Sequence, residues 1–313
     1  MRNRDARIGV VGATGAVGPV AVELLRQRGY TNVRAFASAR SAGKTVAGLQ
    51  VEEATPDALG AGDLDVCLFS VGTALSRELV PRVVEGGAVA VDKSSAFRLT
   101  DGVPLVVPEV NGRRAAEHDG IVANPNCCTI PLTMVLKPLH EAAGLARVRV
   151  STYQSRSGAG VERMEELRAT PPAEAHLDMD WDFDGVDFDE EAKLRAETRK
   201  ILELPDLPLS VTCVRVPVLI GHSEAVWIET EDQLSPDDAT RVLRQADGLR
   251  VEPVPRPRDA VGIDDVLVGR VREDETVANG LVLFLTCDNL RKGAALNAVQ
   301  IAELVLERRA VAA

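Results

Sequence analysis

The sequence of 313 residues lacks several signals that would assign it to a common functional class. No apolar run approaches the roughly 20 residues that a membrane-spanning helix needs. The five cysteines show no Cys-x-x-Cys spacing, so neither a zinc site nor a disulfide framework is indicated. Basic residues are not in excess, because the formal net charge is −11, which argues against a broad nucleic-acid surface. An anionic ligand would therefore need local cationic pockets.

The sequence also shows no internal repeat, no low-complexity tract and no secretory signal. Residues 1–6 lead directly into a β-branched run, which leaves no room for a signal peptide. We therefore expect a reduced, cytoplasmic protein. A hydrophobic share of 45% is enough to build a full core, and the length allows two domains or one large α/β unit.

The first apolar run is followed at once by a glycine-rich loop. Residues 7–11 are typical of a buried strand, residues 12–18 read G-A-T-G-A-V-G, and residues 20–25 have helical periodicity. Glycines in such a strand–loop–helix context let the backbone approach a pyrophosphate, whose charge then lies at the helix N-terminus. The sequence therefore predicts a dinucleotide site here.

The second strand, residues 33–37, does not end in the acidic residue that an NAD site usually places there. It is followed by S-A-R-S-A-G-K at residues 38–44, which supplies hydroxyls together with Arg40 and Lys44. These groups would bind a 2′-phosphate, whereas a carboxylate would repel it. An ordinary solvated loop is the alternative, and the pattern favours NADP.

Two further strands are predicted at residues 65–71 and 87–91. The first ends at Gly72 and Thr73, where the third strand of such a fold passes the adenosine half of the cofactor. Arg98 follows the second strand at the carboxyl edge, where open α/β sheets bind ligands. It is a candidate anion ligand, and a surface arginine is the alternative.

The stretch A-N-P-N-C-C-T at residues 123–129 precedes an apolar run at residues 130–139. The Asn-Pro-Asn turn predicts that Cys127 lies in the first turn of a helix that Pro138 ends. The N-terminus of a helix stabilises a thiolate, so Cys127 is a candidate nucleophile. A buried structural cysteine is the alternative.

The second half begins with a strand at residues 147–153, and Gln154 at its end could bind a substrate carbonyl. Residues 190–202 predict a helix in which Glu190 and Lys193 share one face, most simply as a solvated pair. Residues 169–189 are predicted to be irregular.

Two candidate residues lie in the next apolar segments. A strand at residues 211–218 contains Arg215, which would be costly to bury without an anionic partner. Residues 221–228 are interpreted as its continuation after a kink, and His222 there is well placed to reach a cleft, with a structural histidine as the alternative. A helix at residues 294–308 is expected to return to the first domain.

Together these residues resemble the aspartate-β-semialdehyde dehydrogenase family over nearly the whole chain. The matching stretches are G-A-T-G-A-V-G (12–18), S-A-R-S-A-G-K (38–44), S-S-A-F-R (94–98), N-P-N-C (124–127), Y-Q (153–154), S-G-A-G (157–160), R-V-P-V-x-x-G-H-S-E (215–224) and D-N-L-R-K-G-A-A-L-N (288–297).

The resemblance implies an α/β fold with a Rossmann-type NADP-binding domain at residues 1–126, completed by a C-terminal helix at residues 289–313. Residues 127–288 would form an α+β catalytic and dimerisation domain. The implied reaction is reversible, NADPH-dependent reductive dephosphorylation of an aspartyl phosphate to a semialdehyde. We expect a homodimer or higher homo-oligomer, and no nucleic acid, membrane or metal partner.

The resemblance also implies roles for individual residues. Cys127 would be the nucleophile, His222 the acid/base and Gln154 the group that positions the acyl centre. Substrate would be bound by Arg98, at its phosphate, and by Arg215, Glu190 and Lys193. The cofactor would contact Gly12, Thr14, Gly15, Ala16, Val17, Ser38, Arg40, Ser41, Gly72, Thr73, Ser157, Gly158 and Asn289.

This sequence departs from the family pattern at four places. Cys128 replaces the usual Ser or Thr, Lys93 replaces an Asn, and Ser155-Arg156 replaces two small apolar residues. The stretch between residues 160 and 190 is shorter and lacks the A-F-N-V-I-P interface segment. The two extra cations indicate either a more anionic substrate or an altered phosphate pocket.

Two alternative functions remain open. A specialised paralogue would act on a related acyl phosphate, and a non-catalytic paralogue would only bind NADP. An N-acetylglutamyl-phosphate reductase is disfavoured, because its cysteine and histidine have different neighbours. Survival of Cys127, Gln154, Arg215 and His222 together argues against a non-catalytic protein, since a retired site has no physical reason to retain all four.

Overall fold

The computed structural model describes residues 4–312, and residues 1–3 and 313 lie outside the described part. The predicted absence of a signal peptide and the last residue of the predicted C-terminal helix therefore fall partly on undescribed residues. Two compact units are formed, one by Met1–Pro125 with Ala294–Ala313 and the other by Asn126–Gly293. Within the described residues, no helix combines the length and apolar character that crossing a membrane requires.

The first unit contains a seven-stranded sheet in the order β3-β4-β2-β1-β5-β6-β7, in which only the β3–β4 pair is antiparallel. Its strands are β1 (Ile8–Val11), β2 (Val33–Ala37), β3 (Thr45–Val46), β4 (Leu49–Glu53), β5 (Val66–Phe69), β6 (Val89–Asp92) and β7 (Ile121–Ala123). The helices of its N-terminal part are α1 (Gly18–Gln27), α2 (Pro56–Leu59), α3 (Thr73–Glu85) and α4 (Pro108–Asn111).

The central strands of this sheet are buried along their whole length. Every residue of β1, β5 and β6 is buried, as expected for parallel strands that are covered on both faces. The strand order reverses at β1, which pairs with β2 on one side and β5 on the other. The glycine loop at residues 12–18 follows β1, so it lies at the switch point where open α/β sheets bind ligands.

The second unit contains a six-stranded mixed sheet in the order β11-β12-β13-β10-β8-β9. Its strands are β8 (Leu145–Gln154), β9 (Leu209–Arg215), β10 (His222–Thr230), β11 (Leu249–Val251), β12 (Val266–Glu273) and β13 (Gly280–Cys287). Its helices are α5 (Thr129–Ala143), α6 (Val161–Ala169), α7 (Asp189–Leu202) and α8 (Pro236–Gln245). Alternate residues of β9 and β10 are buried, so this sheet has one covered face.

The prediction that β10 continues β9 after a kink is wrong. The two strands lie on opposite sides of β8, with β9 parallel to it and β10 antiparallel to it. The chain reverses at residues 216–221, where Gly221 adopts a φ of 103° that other residues rarely adopt. The ends of β8 and β9 and the start of β10 consequently meet at one edge of the sheet.

The prediction that Pro138 ends the helix is also wrong, because α5 continues to Ala143 with Pro138 inside it. Leu136 and Leu139 are both fully buried on either side of the proline. Burying two leucines contributes about 3–6 kcal/mol, which offsets the roughly 3 kcal/mol cost of an internal proline. The helix ends instead at Gly144, whose φ is 63°.

The C-terminal helix α9 (Leu296–Ala312) belongs to the first unit. Its Glu303 pairs with Arg28 at the end of α1, with 2.9 Å between Nη1 and Oε2. The Asn297 amide donates to the Asn124 side-chain oxygen at 2.8 Å. The helix is thereby bonded both to α1 and to the loop after β7.

Candidate active site

The turn before α5 is held by one asparagine and two glutamates. Asn126 Oδ1 accepts the Cys128 N–H at 2.8 Å, and Asn126 Nδ2 donates to Glu190 at 2.9 Å. The Asn126 N–H donates to Glu197 at 2.7 Å. Cys128 is the N-cap residue of α5, so Cys127 lies just before the helix and not in its first turn as predicted. Two side chains of α7 therefore fix the position of Cys127.

The neighbouring cysteines differ in exposure. Cys127 is half-buried, whereas Cys128 is fully buried. Burial raises the pKa of the Cys128 thiol well above its ordinary value, and a hydrogen bond with Cys127 raises it further. Cys128 therefore stays a protonated thiol, which leaves Cys127 as the thiol that reagents can reach.

His222 is 1% exposed and is held by the backbone of Ser155. The Ser155 N–H donates to His222 Nδ1 at 3.0 Å, so the proton of the neutral imidazole lies on Nε2. Nε2 has no hydrogen-bond partner among the described residues. A ring nitrogen of His222 and the sulfurs of Cys127 and Cys128 all lie within 4.8 Å of one another. His222 thus presents a ring N–H beside the candidate nucleophile Cys127.

The same three side chains have a spacing that could hold a metal ion. A metal-bound histidine normally donates its second ring N–H to an oxygen acceptor. His222 Nδ1 instead accepts a hydrogen bond from the Ser155 N–H. The arrangement fits proton transfer better than metal binding.

Asn289 organises the loop that carries the Ser155 contact. Its Oδ1 accepts hydrogen bonds from Ser155 Oγ at 3.0 Å, Ser157 Oγ at 3.1 Å and the Gly221 N–H at 2.9 Å. Ser157 and Asn289 were predicted to contact the cofactor, and the structure buries both of them in this network. Their arrangement also orients the histidine that follows Gly221.

Gly158 lies against two of the predicted site residues. A Cβ at this position would be 3.0 Å from His222 Nε2 and 3.1 Å from Arg215 Nη1. Both nitrogens therefore border the same small space, which a larger residue would occupy. The backbone of residue 158 forms one wall of the site.

Arg215 and Gln154 are in contact, as neighbours across the β8–β9 pair. Arg215 is 3% exposed, and its Nη1 lies 3.4 Å from Gln154 Oε1 and 3.3 Å from the Ser155 carbonyl. Its Nε donates to Asp180 Oδ1 at 3.1 Å. Asp180 is thus the anionic partner that a buried arginine requires, and sequence reasoning missed it because residues 169–188 show no periodicity.

Three predicted substrate residues are bonded to groups within their own units. Glu190 is buried and bonded to Asn126, while the ammonium of Lys193 binds Asp189 and lies 4.0 Å from Glu190 Oε2. In the first unit, Arg98 is 7% exposed, and its guanidinium donates to the carbonyls of Lys93 and Asn124. The structure brings Cys127, His222, Gln154 and Arg215 together in the second unit, and Lys193 is turned towards its own helix.

Glu224 is a buried carboxyl group that the sequence pattern did not single out. It lies two residues after His222 on β10, so both side chains are on the same face of the sheet. Neither of its oxygens has a hydrogen-bond partner among the described residues. Burial raises the pKa of Glu224 well above its ordinary value, and the nearby Cys127 raises it further. The protonated form of Glu224 is therefore favoured.

The glycine loop of the first unit has the shape that a dinucleotide requires. Gly12 has a φ of 83°, and a Cβ there would lie 2.2 Å from the Ser70 carbonyl oxygen. A Cβ at Gly18, the first residue of α1, would lie 2.4 Å from the Gly12 oxygen. At Gly72 a Cβ would meet no atom within 4 Å. The close contacts at Gly12 and Gly18 thus require glycine, which lets the loop turn tightly at the start of α1, where a pyrophosphate would lie.

The loop after β2 presents cations beside this glycine loop. Thr14 Oγ1 contacts Ser41 Oγ at 3.5 Å, which joins the two loops. Arg40 and Lys44 are both exposed. At the third strand, Thr73 Oγ1 lies 2.9 Å from Ser95 Oγ. These groups fit a cofactor that carries a 2′-phosphate.

Comparison with known proteins agrees with this architecture. Residues 7–118 match the family model described as semialdehyde dehydrogenase, NAD binding domain, and residues 136–292 match the semialdehyde dehydrogenase dimerisation domain. The chain is 46% identical to the aspartate-semialdehyde dehydrogenase of Streptomyces akiyoshiensis, over 96% of this chain and 98% of that one. It is 40% identical to the Bacillus subtilis enzyme of the same name, over 96% and 97%.

Solved structures show the same similarity. Aspartate semialdehyde dehydrogenase II from Vibrio cholerae, complexed with ASA, has a TM-score of 0.90 and 37% identity, over 97% of this chain and 98% of that one. The Candida albicans enzyme with NADP has a TM-score of 0.75 and 25% identity, over 96% and 98%. Because both family domains match and the relatives named above are 40–46% identical over nearly the whole chain, the chain belongs to the aspartate-semialdehyde dehydrogenase family.

Proposed function

We propose that this protein is an aspartate-semialdehyde dehydrogenase. It catalyses the reversible, NADP-dependent reductive dephosphorylation of L-aspartyl-4-phosphate to L-aspartate-4-semialdehyde. The observation that carries the proposal is that His222 and Arg215 border one small space beside Gly158, and that Cys127 lies next to His222. Nucleophile, proton donor and carboxylate ligand are the three groups that this reaction needs.

The chain's own residues account for the acyl-transfer step. The Cys127 thiolate attacks the acyl carbon, a C–S bond forms, and the C–O bond to phosphate breaks with release of inorganic phosphate. The resulting thioester accepts hydride more readily than a carboxylate does. NADPH, when bound, supplies that hydride, and NADP accepts it in the oxidative direction.

His222 handles the proton in this scheme. Because Nδ1 accepts from the Ser155 N–H, the neutral ring presents an Nε2–H to the site. That proton stabilises the developing negative charge on the acyl oxygen. Hydride addition leaves a thiohemiacetal oxyanion bound to that N–H; when it collapses, the C–S bond breaks, the aldehyde is released and Cys127 leaves as the thiolate, while His222 keeps its proton.

The substrate is positioned by side chains that meet at the edge of the second sheet. Arg215 binds the substrate carboxylate, which suits a guanidinium. Gln154 positions the acyl centre beside it. We assign the substrate phosphate to Arg98, and Glu190 and Lys193 to the substrate pocket.

Cofactor binding is proposed for the loops at the switch point of the first sheet. Arg40 binds the 2′-phosphate, which accounts for the preference for NADP over NAD. The contacting residues are Gly12, Thr14, Gly15, Ala16, Val17, Ser38, Arg40, Ser41, Gly72 and Thr73, with Ser157, Gly158 and Asn289 on the nicotinamide side. A lower KM for NAD than for NADP would contradict this assignment.

The domain organisation and the assembly follow the family. Residues 1–126, completed by residues 289–313, bind NADP, and residues 127–288 carry catalysis and dimerisation. The match to a dimerisation-domain model supports a homodimer. All five cysteines are free, which supports a reducing, cytoplasmic setting.

The test is phosphate-dependent reduction of NADP by the purified protein with L-aspartate-4-semialdehyde. Turnover that needs both phosphate and the semialdehyde supports the proposal. Binding of NADP without turnover would contradict it and would indicate a different acyl substrate. Absence of both would contradict the enzyme assignment itself.

A further inference from the structure

A short segment of the second unit, residues 176–181, is fixed against the end of β9. The Asp178 N–H donates to the Arg215 carbonyl at 2.9 Å, and the Arg215 N–H donates to the Asp178 carbonyl at 2.8 Å. Arg156 Nη1 donates to Asp178 Oδ2 at 3.0 Å and Arg156 Nη2 to the His176 carbonyl at 3.2 Å. The extra cation at position 156 therefore anchors this segment.

The anchored segment places two side chains on the Arg215 guanidinium. Asp180 Oδ1 lies 3.1 Å from Nε, and the Trp181 ring centroid lies 4.4 Å from the guanidinium carbon. The side chains of Arg215 and Asp180 are only 4% and 10% exposed. This ion pair is therefore weakly screened by solvent, and Trp181 covers one face of the guanidinium.

Most of the donors of Arg215 are already used. Nε donates to Asp180, and Nη1 donates to Gln154 Oε1 and the Ser155 carbonyl. Among the described residues Nη2 makes no hydrogen bond. A bidentate carboxylate needs two neighbouring nitrogens, either Nε with Nη2 or Nη1 with Nη2. An incoming carboxylate can therefore form the bidentate pair only by displacing one of the present partners, and Asp180 is the partner with the same charge.

We propose that Asp180 competes with the substrate carboxylate for Arg215 and thereby sets the affinity of the site. The inference rests on the proposed function, in which Arg215 binds the carboxylate of a small amino-acid substrate. Two carboxylates on one guanidinium repel each other, so the substrate gains the full bidentate contact only when Asp180 moves away.

Asp180 has a second cation within reach. Arg163 Nε lies 3.8 Å from Asp180 Oδ2, on the side away from the Arg215 contact at Oδ1. Arg163 is 43% exposed and also pairs with Glu166 at 2.8 Å. When the substrate takes Arg215, Asp180 keeps a partner in Arg163. Arg163 therefore favours release of Arg215, and the two residues act in opposite directions on substrate affinity.

The experiment compares wild type, Asp180→Asn, Arg163→Gln and the double variant by steady-state kinetics. A charge-assisted hydrogen bond contributes enough that Asp180→Asn should lower the KM for the semialdehyde at least about tenfold. Arg163→Gln should raise that KM about twofold to fivefold, as expected for a partly exposed pair. The double variant should resemble Asp180→Asn, because Arg163 then has no carboxylate to hold. The KM for NADP should not change in any variant.

A matched control is Asp187→Asn, which removes an ion pair with Arg195 outside this segment, further along the chain. It should leave the KM for the semialdehyde unchanged. A merely structural role of Asp180 would instead raise KM and lower kcat, and that result, or an unchanged KM, would overturn the proposal.

A second measurement separates this inference from the proposed function. L-2-Aminobutyrate has the same α-carboxylate and amino group as the substrate but no reactive carbonyl. It should raise the melting temperature of Asp180→Asn more than that of wild type, because it fills the vacated partner position. If wild type shows no turnover, the function is wrong, and this shift still decides the role of Asp180. Equal shifts in the two proteins would refute it.

Discussion

Glu224 is expected to make the folded protein less stable as the pH rises, and the change Glu224→Gln should remove that dependence. The carboxyl group is fully buried, and its two oxygens lack partners among the described residues. Burial raises the pKa of Glu224, and the neighbouring Cys127 adds to this. Glutamine has nearly the same shape and does not titrate, so it mimics the protonated carboxyl.

The sign of the effect follows from the difference between folded and unfolded states. In the unfolded chain a glutamate ionises with a pKa of about 4.3, whereas in the folded protein Glu224 keeps its carboxyl proton to a higher pH. The contribution of Glu224 to stability is therefore complete below the unfolded pKa and is lost as the pH rises towards the folded pKa. The loss is about 1.4 kcal/mol per pH unit within that interval.

The assay is urea unfolding of wild type and Glu224→Gln at several pH values from about pH 5 upwards, where the glutamate of the unfolded chain is ionised. The stability of Glu224→Gln relative to wild type should increase with each increase in pH, and the increase should level off at the pKa of Glu224 in the folded protein. Glu273→Gln, at an exposed position on β12, is the matched control and should show no such trend. A constant difference between wild type and Glu224→Gln would refute the reasoning, since it would mean that Glu224 titrates alike in both states.

Three further predictions concern the site and the cofactor. Cys127→Ser should abolish NADP reduction and Cys128→Ser should not. Iodoacetamide should modify Cys127 first, as detected by mass spectrometry. Loss of activity in Cys128→Ser alone would mean that the nucleophile is misassigned. Gly158→Ala should lower kcat/KM by about 100-fold or more, because its methyl group would lie 3.0 Å from His222 Nε2; unchanged kinetics would place the substrate elsewhere. Arg40→Glu should raise the KM for NADP well above that for NAD, and an equal change in both would contradict a 2′-phosphate contact.

Much of the first unit could be predicted because its signals are local. Continuous apolar runs followed by glycine or polar loops gave the strands β1, β2, β5 and β6 to within a few residues. The glycine loop could also be placed, since the approach of backbone to backbone at Gly12 and Gly18 excludes any other residue. Features of this kind depend on consecutive residues, so they can be predicted from a short stretch of sequence.

Pairing between distant segments could not be predicted in the same way. The two apolar segments around residues 209–230 have the same pattern whether they are one kinked strand or two strands on either side of β8. The extension of α5 past Pro138 depends on the burial of leucines against other elements. Helix propensities do not include this tertiary packing.

In the candidate site, too, local features could be predicted from the sequence, whereas contacts between distant segments could not. The sequence marked Cys127, Gln154, Arg215 and His222 as candidates, because of strand ends, a turn and the family resemblance, and the structure brings these four side chains together. It did not identify the groups that hold them, namely Glu197 on the Asn126 N–H and Asp180 on Arg215. These partners lie 71 and 35 residues away along the chain, and their side chains would read as ordinary surface charges.

The strand order β9-β8-β10 has a consequence for when the site comes into existence. Gln154 is directly opposite Arg215 in the β8–β9 ladder, and Tyr153 is opposite Ser223, the residue after His222, in the β8–β10 ladder. The side chains of Gln154, Arg215 and His222 are therefore aligned when the hydrogen-bonded strand pairs form, during folding. Their relative freedom has already been lost by the time a substrate arrives, so binding need not order them again. Amide protons along this edge should accordingly exchange with solvent only when the sheet itself opens.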